Sequence, residues 1–310
     1  MDDPKGVAVA PDGRFAFVAG SSSNSLAIVD VATDPTTPTV IGTVGPDTTH
    51  LYHPRGVAVS PDGRHVFVAG ELSHSVAAID VTDPVNPFIA GSVTGHSKMQ
   101  YAVGVAVSHD GAHVYVAAPG SSAVTVVSVA DPTDPTVLGS ISGHTALSGA
   151  QHVAVSTDGQ HVFASGYSSD SVAVIDVGTD PQNPTVVGSI LNDGSNLDGA
   201  FGIVASPNAT YILATGVTSD SVVIIDVSDP EAPEITGGVA QDDTHINSPY
   251  GIDVGLSGQY VLVTGYTSNS FAVFDVGTDA TNPSLVRVRV RVRVRVRVRV
   301  RVRVRVRVRV

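Results

Sequence analysis

Aromatic and ionisable side chains recur just before one repeated strand pattern in this sequence. Such segments combine groups that can stack on a ligand with groups that can pair with its charge. The residues are Tyr52, His53, Arg55, Tyr101, His152, Phe201 and Tyr250. If the segments meet at one end of the fold, they predict a ligand-binding site there. The alternative is structural, since residues 53–55 parallel residues 3–5 and both stretches read as strand lead-ins.

Two of these segments also share an Asp-x-x-His spacing. The pairs are Asp47 with His50 and Asp242 with His245, the second with Asp243 beside it. Carboxylates and imidazoles are ligands for Ca²⁺ or Zn²⁺. The spacing is short and also occurs in solvated acidic loops. We therefore expect no cofactor, with Ca²⁺ or Zn²⁺ at these loops as the alternative.

Nucleophilic catalysis has no sequence motif here, because the chain lacks cysteine and has no Gly-x-Ser-x-Gly elbow leading into a helix. A repeated aspartate precedes a proline-rich turn, where a carboxylate accepts backbone N–H groups. These aspartates are Asp30, Asp80, Asp176, Asp226 and Asp275. We interpret them as structural. His65, His113 and His161 occupy a position that holds Phe or Tyr in other repeats, which indicates packing.

The charge balance differs sharply along the chain. It has 310 residues with 29 acidic and 17 basic side chains, but residues 287–310 are an uninterrupted Arg-Val alternation that contains most of the basic ones. The remaining body is therefore strongly acidic and would repel a phosphate backbone, so we expect no nucleic-acid binding by the body. No uncharged run is long enough for a transmembrane helix, and no signal peptide opens the sequence.

An internal repeat determines the expected fold. The phrase GVAVSPDGRHVFVAG at residues 56–70 recurs in recognisable form at intervals of 48 to 50 residues. The anchor positions are Gly6, Gly56, Gly104, His152, Gly202 and Gly251. A period near 49 residues is typical of one four-stranded propeller blade. Six such units predict an all-β propeller of six blades.

Each unit reads as four short strands, and no stretch keeps a helical period. The third strand, for example residues 172–177, is apolar at almost every position, which indicates cover on both faces. Blades stacked around an axis provide that cover. A β-sandwich or a linear β array is the alternative, although it explains the period less well.

The sequence resembles the LVIVD-repeat and YVTN-type β-propellers of bacterial and archaeal surface proteins. The matching phrases are LAIVDVATDPTTPTVIG at 26–42, VAVIDVGTDPQNPTVVG at 172–188 and VVIIDVSDPEAP at 222–233. The resemblance covers about residues 4–284 and implies an extracellular or cell-envelope location. Related propellers include lactonases. The pattern breaks at both ends, so the ring is expected to have six blades, or seven with the last one missing.

We therefore expect two regions, a propeller domain at 1–286 and a low-complexity Arg-Val tail at 287–310. The leading functional hypothesis is a non-enzymatic surface scaffold that binds proteins or glycans. The alternative is a lactonase-like hydrolase with a channel-mouth active site that depends on His53 or His152. For the tail, binding to polyanions is one hypothesis, and a low-complexity expansion or sequence error is the favoured one.

Overall fold

A computed structural model describes residues 2–191, 196–207, 210–239, 246–255, 257–276 and 284–286. It confirms the predicted all-β propeller of six four-stranded antiparallel blades. In every blade the strands lie side by side in chain order, from an inner strand at the channel to an outer strand at the rim. None of the helices in these ranges is long and apolar enough to cross a membrane.

The strands are numbered along the chain, four to a blade. Blades 1 and 2 contain β1 (Pro4–Val9), β2 (Phe15–Gly20), β3 (Ser25–Asp30), β4 (Thr39–Val44), β5 (Pro54–Val59), β6 (His65–Gly70), β7 (Ser75–Asp80) and β8 (Phe88–Thr94). Blades 3 and 4 contain β9 (Gly104–Val107), β10 (His113–Ala118), β11 (Ala123–Ser128), β12 (Thr136–Ser142), β13 (Ala150–Val155), β14 (His161–Gly166), β15 (Ser171–Asp176) and β16 (Thr185–Leu191). Blades 5 and 6 contain β17 (Ala200–Ala205), β18 (Tyr211–Gly216), β19 (Ser221–Asp226), β20 (Glu234–Val239), β21 (Pro249–Val254), β22 (Tyr260–Gly265), β23 (Ser270–Asp275) and β24 (Ser284–Val286). A short 3-10 helix, Thr145–Leu147, precedes β13.

The turn between the first two strands of blades 1 and 2 follows from its Pro-Asp-Gly chemistry, and blades 3 and 4 keep the Asp-Gly pair. In blade 2 the Asp62 carboxylate accepts bonds from the Ser60 hydroxyl and the Arg64 backbone N–H, at 2.6 and 3.0 Å. Gly63 takes a positive φ of 71°, which glycine adopts without steric cost. The turn therefore fixes the hairpin that carries the inner strand.

The repeated aspartate at the end of the third strand is structural, as predicted. Asp30 accepts bonds from the backbone N–H groups of Ala32 and Thr33 at 3.0 and 2.9 Å. Asp176 does the same with Gly178 and Thr179. These carboxylates hold the turn into the outer strand, so they lie away from the channel.

The hydrophobic core is divided among the interfaces between successive blades. Five clusters of buried side chains lie between the six blades within the described ranges, one for each pair from blades 1 and 2 to blades 5 and 6. Val172 and Val174 of β15 face one interface while Ala173 and Ile175 face the other, and all four are buried. The apolar third strand is thus covered on both faces, as its sequence predicts.

A repeated hydrogen bond joins each blade to the next at one end of the ring. The last residue of the turn between the second and third strands accepts, through its side chain, a backbone N–H from the connection that enters the following blade. We call this bond the inter-blade latch. The five latches are Asn24 with His53 (3.0 Å), His74 with Tyr101 (2.8 Å), Ser122 with Gly149 (3.1 Å), Asp170 with Gly199 (2.7 Å) and Asp220 with Ser248 (2.7 Å).

Residues 287–310 lie outside the described ranges, so the proposed boundary at 286 and the tail hypotheses stay predictions.

Candidate active site at the channel mouth

The latches gather three kinds of segment at the same end of the propeller. These are the starts of the inner strands, the turns between second and third strands, and the connections between blades. Side chains at corresponding positions of the six inner strands should therefore surround one channel mouth. Immediately before each anchor position stand Lys5, Arg55, Val103, Gln151, Phe201 and Tyr250. The mouth is consequently basic at blades 1 and 2 and aromatic at blades 5 and 6.

Arg55 is held in place by a carboxylate of its own blade. Its Nε and Nη2 atoms donate to Glu71 at 2.7 and 3.2 Å, and the two side chains are 36% and 21% exposed. A bidentate pair of this kind fixes the guanidinium plane. The remaining guanidinium N–H groups can bind a carbonyl or carboxylate oxygen of a ligand.

His152 occupies the anchor position that glycine holds in the other five blades. A β-bulge interrupts the register of β13 between Ala150 and Val153, and the His152 backbone N–H donates to the Ser165 hydroxyl at 3.1 Å. The same hydroxyl donates to the Phe201 carbonyl oxygen of blade 5 at 2.5 Å. Ser165 is fully buried, so this bridge fixes the backbone that carries the imidazole at the bulge.

The environment of His152 keeps its imidazole neutral. Desolvation first, and then the positive charge of Arg55, lower the pKa of His152 to about 4. The two residues lie on inner strands separated by β9, with Val103 between them in the ring order. A neutral imidazole near neutral pH has a free nitrogen that can accept a proton.

Aromatic rings form a continuous cluster beside this histidine. The Phe201 ring lies 4.8 Å from the ring of His152, 4.7 Å from Tyr250 and 6.4 Å from Tyr167, while Tyr250 lies 5.6 Å from Tyr266. Tyr167, Tyr250 and Tyr266 are 37%, 39% and 76% exposed. The cluster thus presents accessible ring faces and hydroxyl groups to a ligand at the mouth.

The other predicted residues lie in the connections between blades. Tyr52 packs edge-on against His53, with ring centroids 5.2 Å apart, and the His53 backbone N–H forms the first latch. Tyr101 packs against His74 at 4.9 Å and forms the second. The structure therefore brings His152, Phe201 and Tyr250 into contact. It places Tyr52, His53 and Tyr101 at blade junctions, where a structural role accounts for their contacts.

The first predicted metal-binding pair forms its own closed turn. Asp47 accepts bonds from the backbone N–H groups of Thr49 and His50 at 2.8 and 2.7 Å, and its second oxygen lies 3.1 Å from His50 Nδ1. No group of three or more His, Cys, Asp and Glu residues that could hold a metal occurs in the described part of the chain. Asp242, Asp243 and His245 lie outside the described residues, so that part of the metal hypothesis stays a prediction.

Sequence reasoning did not place Glu71, Tyr167 and Tyr266 at the mouth. Each of them directly follows the glycine that ends the second strand of its blade, namely Gly70, Gly166 and Gly265. Their side chains reach the mouth because that strand ends beside the start of the inner strand. The three residues share one position of the repeat, and this shared position is the sequence signal that could have identified them. A single glutamate or tyrosine does not by itself indicate a binding site.

Two protein-family models match parts of the chain. A lactonase family of seven-bladed β-propellers matches residues 3–84, and the LVIVD repeat matches residues 203–240. Both agree with the propeller architecture and with the LVIVD part of the predicted resemblance. The search of curated proteins gave no match.

Solved structures with the same fold span most of the chain. A periplasmic gluconolactonase from Pseudomonas aeruginosa superposes with a TM-score of 0.78 at 18% identity. The match covers 93% of this chain and 85% of the gluconolactonase chain. A candidate 6-phosphogluconolactonase from Bacteroides fragilis gives 0.75 at 16% identity, with 91% and 82% covered. Hydrazine synthase from Kuenenia stuttgartiensis gives 0.71 at 22% identity, with 89% and 78% covered. At these identities the similarity establishes the fold.

The expectation of a non-enzymatic scaffold was wrong. The lactonase family match, together with the lactonase names among the structural neighbours, favours the alternative of a lactonase-like hydrolase. The physical reason for the error is that the repeat motifs consist of strand and turn formers. Chemistry in a propeller depends on single residues that several blades bring together, and no contiguous motif records them.

Proposed function

We propose that the protein is a lactone hydrolase whose active site is the channel mouth around Arg55 and His152. The observation that carries the proposal is the presence of a fixed guanidinium and a neutral, desolvated imidazole at one mouth. The lactonase family match and the lactonase-named neighbours support the same activity. A location outside the cytoplasm belongs to the proposal as well, because the surface-protein resemblance and the periplasmic neighbour both favour it.

His152 is the general base in this proposal. It accepts a proton from water while the water oxygen attacks the lactone carbonyl carbon. The tetrahedral intermediate then collapses, the ring C–O bond breaks, and the imidazolium returns the proton to the leaving alkoxide. The product is a hydroxy acid, so one water is consumed and the histidine is regenerated. A base of pKa about 4 remains unprotonated throughout the neutral range.

Arg55 stabilises negative charge on the substrate. Charge develops on the carbonyl oxygen during attack, and a fixed cation in a partly desolvated site lowers the energy of that state. Glu71 orients the guanidinium and neutralises part of its charge, which also limits how strongly Arg55 binds the carboxylate product. Arg55 and Glu71 thus act together as an oriented oxyanion-binding pair.

Replacing Arg55 with glutamine should lower kcat/KM at least about tenfold, by the usual cost of losing a charged transition-state contact. The matched control is Arg64→Gln, because Arg64 belongs to the same blade and is exposed in the turn at the opposite end of the strand. Turnover is measured by proton release from six-membered sugar lactones, with and without a phosphate group, after subtraction of spontaneous hydrolysis.

Arg64→Gln should keep wild-type turnover. If wild-type protein hydrolyses no lactone faster than the background rate, the proposed activity is wrong. If the wild type is active and both arginine variants retain that activity, the activity stands and the site is elsewhere.

A further inference from the structure

The channel mouth is chemically asymmetric. Two positions of each blade border it, namely the residue before the anchor position and the residue that follows the second strand. In blade 2 these positions hold Arg55 and Glu71, whereas in blade 5 they hold Phe201 and Val217. Both positions of blade 6 hold tyrosine. A ligand at the mouth would therefore meet ionic groups at blade 2 and aromatic rings at blades 5 and 6.

Phe201 is the centre of the aromatic side. Its ring makes an angle of 72° with the Tyr250 ring at a centroid distance of 4.7 Å, and an angle of 87° with the Tyr167 ring at 6.4 Å. We call these three residues the aromatic shelf. Rings that meet edge to face leave part of their faces uncovered, and the imidazole of His152 lies 4.8 Å from the Phe201 ring. The shelf thus offers ring surface directly beside the proposed base.

The backbone holds the shelf in place without a ligand. Gly199 has a φ of 67°, and a Cβ atom there would lie 3.1 Å from Cε2 of Tyr167, so glycine at this position makes room for the tyrosine ring. The latch to Asp170 fixes the Gly199 backbone N–H, and the Ser165 hydroxyl fixes the Phe201 carbonyl oxygen. A preformed surface of this kind loses little conformational entropy when a ligand binds.

The fold does not account for the exposed tyrosines of the shelf. Among the described residues, the hydroxyl groups of Tyr167 and Tyr250 form no hydrogen bond, and both side chains are more than a third exposed. Tyr211 shows the contrast, since its hydroxyl donates to the Gly258 carbonyl oxygen at 3.2 Å and so joins blade 5 to blade 6. Neighbouring exposed rings that hold no other element in place typically mark a binding surface.

The position of the shelf determines which part of a lactone it would contact. When the carbonyl group lies at Arg55 and His152, the short distance between the rings of His152 and Phe201 places the substituents of the lactone ring against Phe201. A hydroxyl-rich substituent there would exchange water for a side chain without polar atoms, which costs free energy. An aromatic substituent would instead make edge-to-face or offset contacts with Phe201 and Tyr250.

We propose that the mouth selects lactones whose ring is fused or directly joined to an aromatic ring, and that Phe201 and Tyr250 determine this selectivity. The reaction rests on the proposed lactone hydrolysis, while the selectivity rests on the contacts of the shelf. Water adds to the carbonyl carbon and the ring C–O bond breaks, so the product is a hydroxy acid that carries an arene beside its carboxylate. Arg55 pairs with that carboxylate while the shelf contacts the arene.

The first measurement compares three six-membered lactones as substrates of the full-length protein. Isochroman-3-one carries a fused benzene ring, δ-valerolactone carries no substituent, and δ-gluconolactone carries hydroxyl groups. Each kcat/KM is divided by the rate constant of the same lactone with hydroxide, which removes differences in intrinsic reactivity. We expect the normalised value for isochroman-3-one to exceed both others at least about tenfold, as filling an apolar site usually does.

Variants of the shelf should lose this preference. Phe201→Leu and Tyr250→Leu each remove an aromatic face and keep an apolar side chain, so each should lower the ratio of isochroman-3-one to δ-valerolactone at least about threefold. The matched control is Tyr101→Leu, because Tyr101 is 46% exposed and lies at the junction of blades 2 and 3, outside the shelf. It should keep the wild-type ratio. Melting curves establish that each variant is folded, and the exposed Tyr250 decides the result if Phe201→Leu unfolds the protein.

A second measurement separates the shelf from the reaction. Calorimetric titration compares the two hydrolysis products 2-(hydroxymethyl)phenylacetate and 5-hydroxypentanoate, which share a carboxylate and differ in the arene. The aromatic acid should bind at least about tenfold more tightly, and Tyr250→Leu should reduce that difference. If both results hold while the protein hydrolyses no lactone, the proposed activity is wrong and the selectivity of the site stands.

Three outcomes would overturn the inference. The first is equal binding of the two acids to the wild-type protein. The second is a wild-type preference for δ-gluconolactone or δ-valerolactone, in which case lactone hydrolysis stands without aromatic selectivity. The third is that Tyr101→Leu lowers the substrate ratio as much as Tyr250→Leu does, because the shelf is then not the site that selects the substrate.

Discussion

Replacing His152 with glycine should abolish most lactone turnover and leave the propeller folded. Glycine occupies this anchor position in the five other blades, so the backbone of β13 accepts it without a new conformation. The variant removes the whole side chain with its imidazole, and loss of a general base typically costs about 100-fold or more in kcat. The measurement is kcat and KM by proton release, beside a circular dichroism spectrum and a melting curve.

The matched control for this variant is His161→Tyr. His161 lies on the strand adjacent to β13, and its position holds Tyr211 in blade 5 and Tyr260 in blade 6. This substitution should leave turnover unchanged. Equal activity of the His152→Gly variant and the wild type would exclude His152 as the base.

The pH dependence of activity should identify the same histidine. Because desolvation and the charge of Arg55 lower its pKa to about 4, the acidic limb of kcat/KM should fall near pH 4. An ordinary histidine would place that limb near pH 6.5. An acidic limb at pH 6 to 7 would therefore contradict the role assigned to His152.

Stability should respond to pH through this residue as well. Between about pH 6.5 and pH 4 the unfolded chain binds a proton at His152 that the folded protein does not, so the free energy of unfolding decreases as the pH falls. The loss is about 1–3 kcal/mol for a partly buried group. The loss should be smaller in the His152→Gly variant, where only groups such as the aspartates with lowered pKa still contribute, and urea titrations at pH 7 and pH 4.5 would show the difference.

The fold could be predicted from the sequence because most blades repeat some of the same local signals. The Pro-Asp-Gly turn, the apolar third strand and the aspartate before its turn all perform their predicted roles, as in Asp62 and Asp176. These signals act over a few residues, so single-sequence reasoning captures them.

The candidate site could be predicted only in part. His152, Phe201 and Tyr250 come from three different blades, and their ring contacts depend on how those blades stack. Glu71 became recognisable only through its bond to Arg55 across the bulge. Tyr101 shares the residue type of the mouth, but a latch position places it at a junction. Contacts between residues of different blades depend on how the blades stack, and a local sequence pattern does not contain that information.

Replacing Gly104 with alanine should destabilise the protein by about 3 kcal/mol, at the upper end of the cost of overpacking. A Cβ atom there would lie 2.5 Å from the Gln151 carbonyl oxygen and 2.7 Å from the His152 Cα atom. Both contacts are backbone atoms of the next inner strand, so rotation of a side chain cannot relieve them. The expected decrease in melting temperature is roughly 5–10 °C.

The informative comparison is Gly251→Ala at the corresponding position of blade 6. The nearest atom to a Cβ atom there is the Thr264 Oγ1 atom at 2.8 Å, and the next contacts are ordinary at 3.8 Å or more. Thr264 can rotate away at the cost of its bond from the Gly251 backbone N–H, about 1 kcal/mol. We therefore expect Gly104→Ala to destabilise the protein much more than Gly251→Ala. That result would show that close stacking of neighbouring inner strands selects glycine at the anchor positions. Equal losses would show instead that backbone conformation within each blade selects glycine.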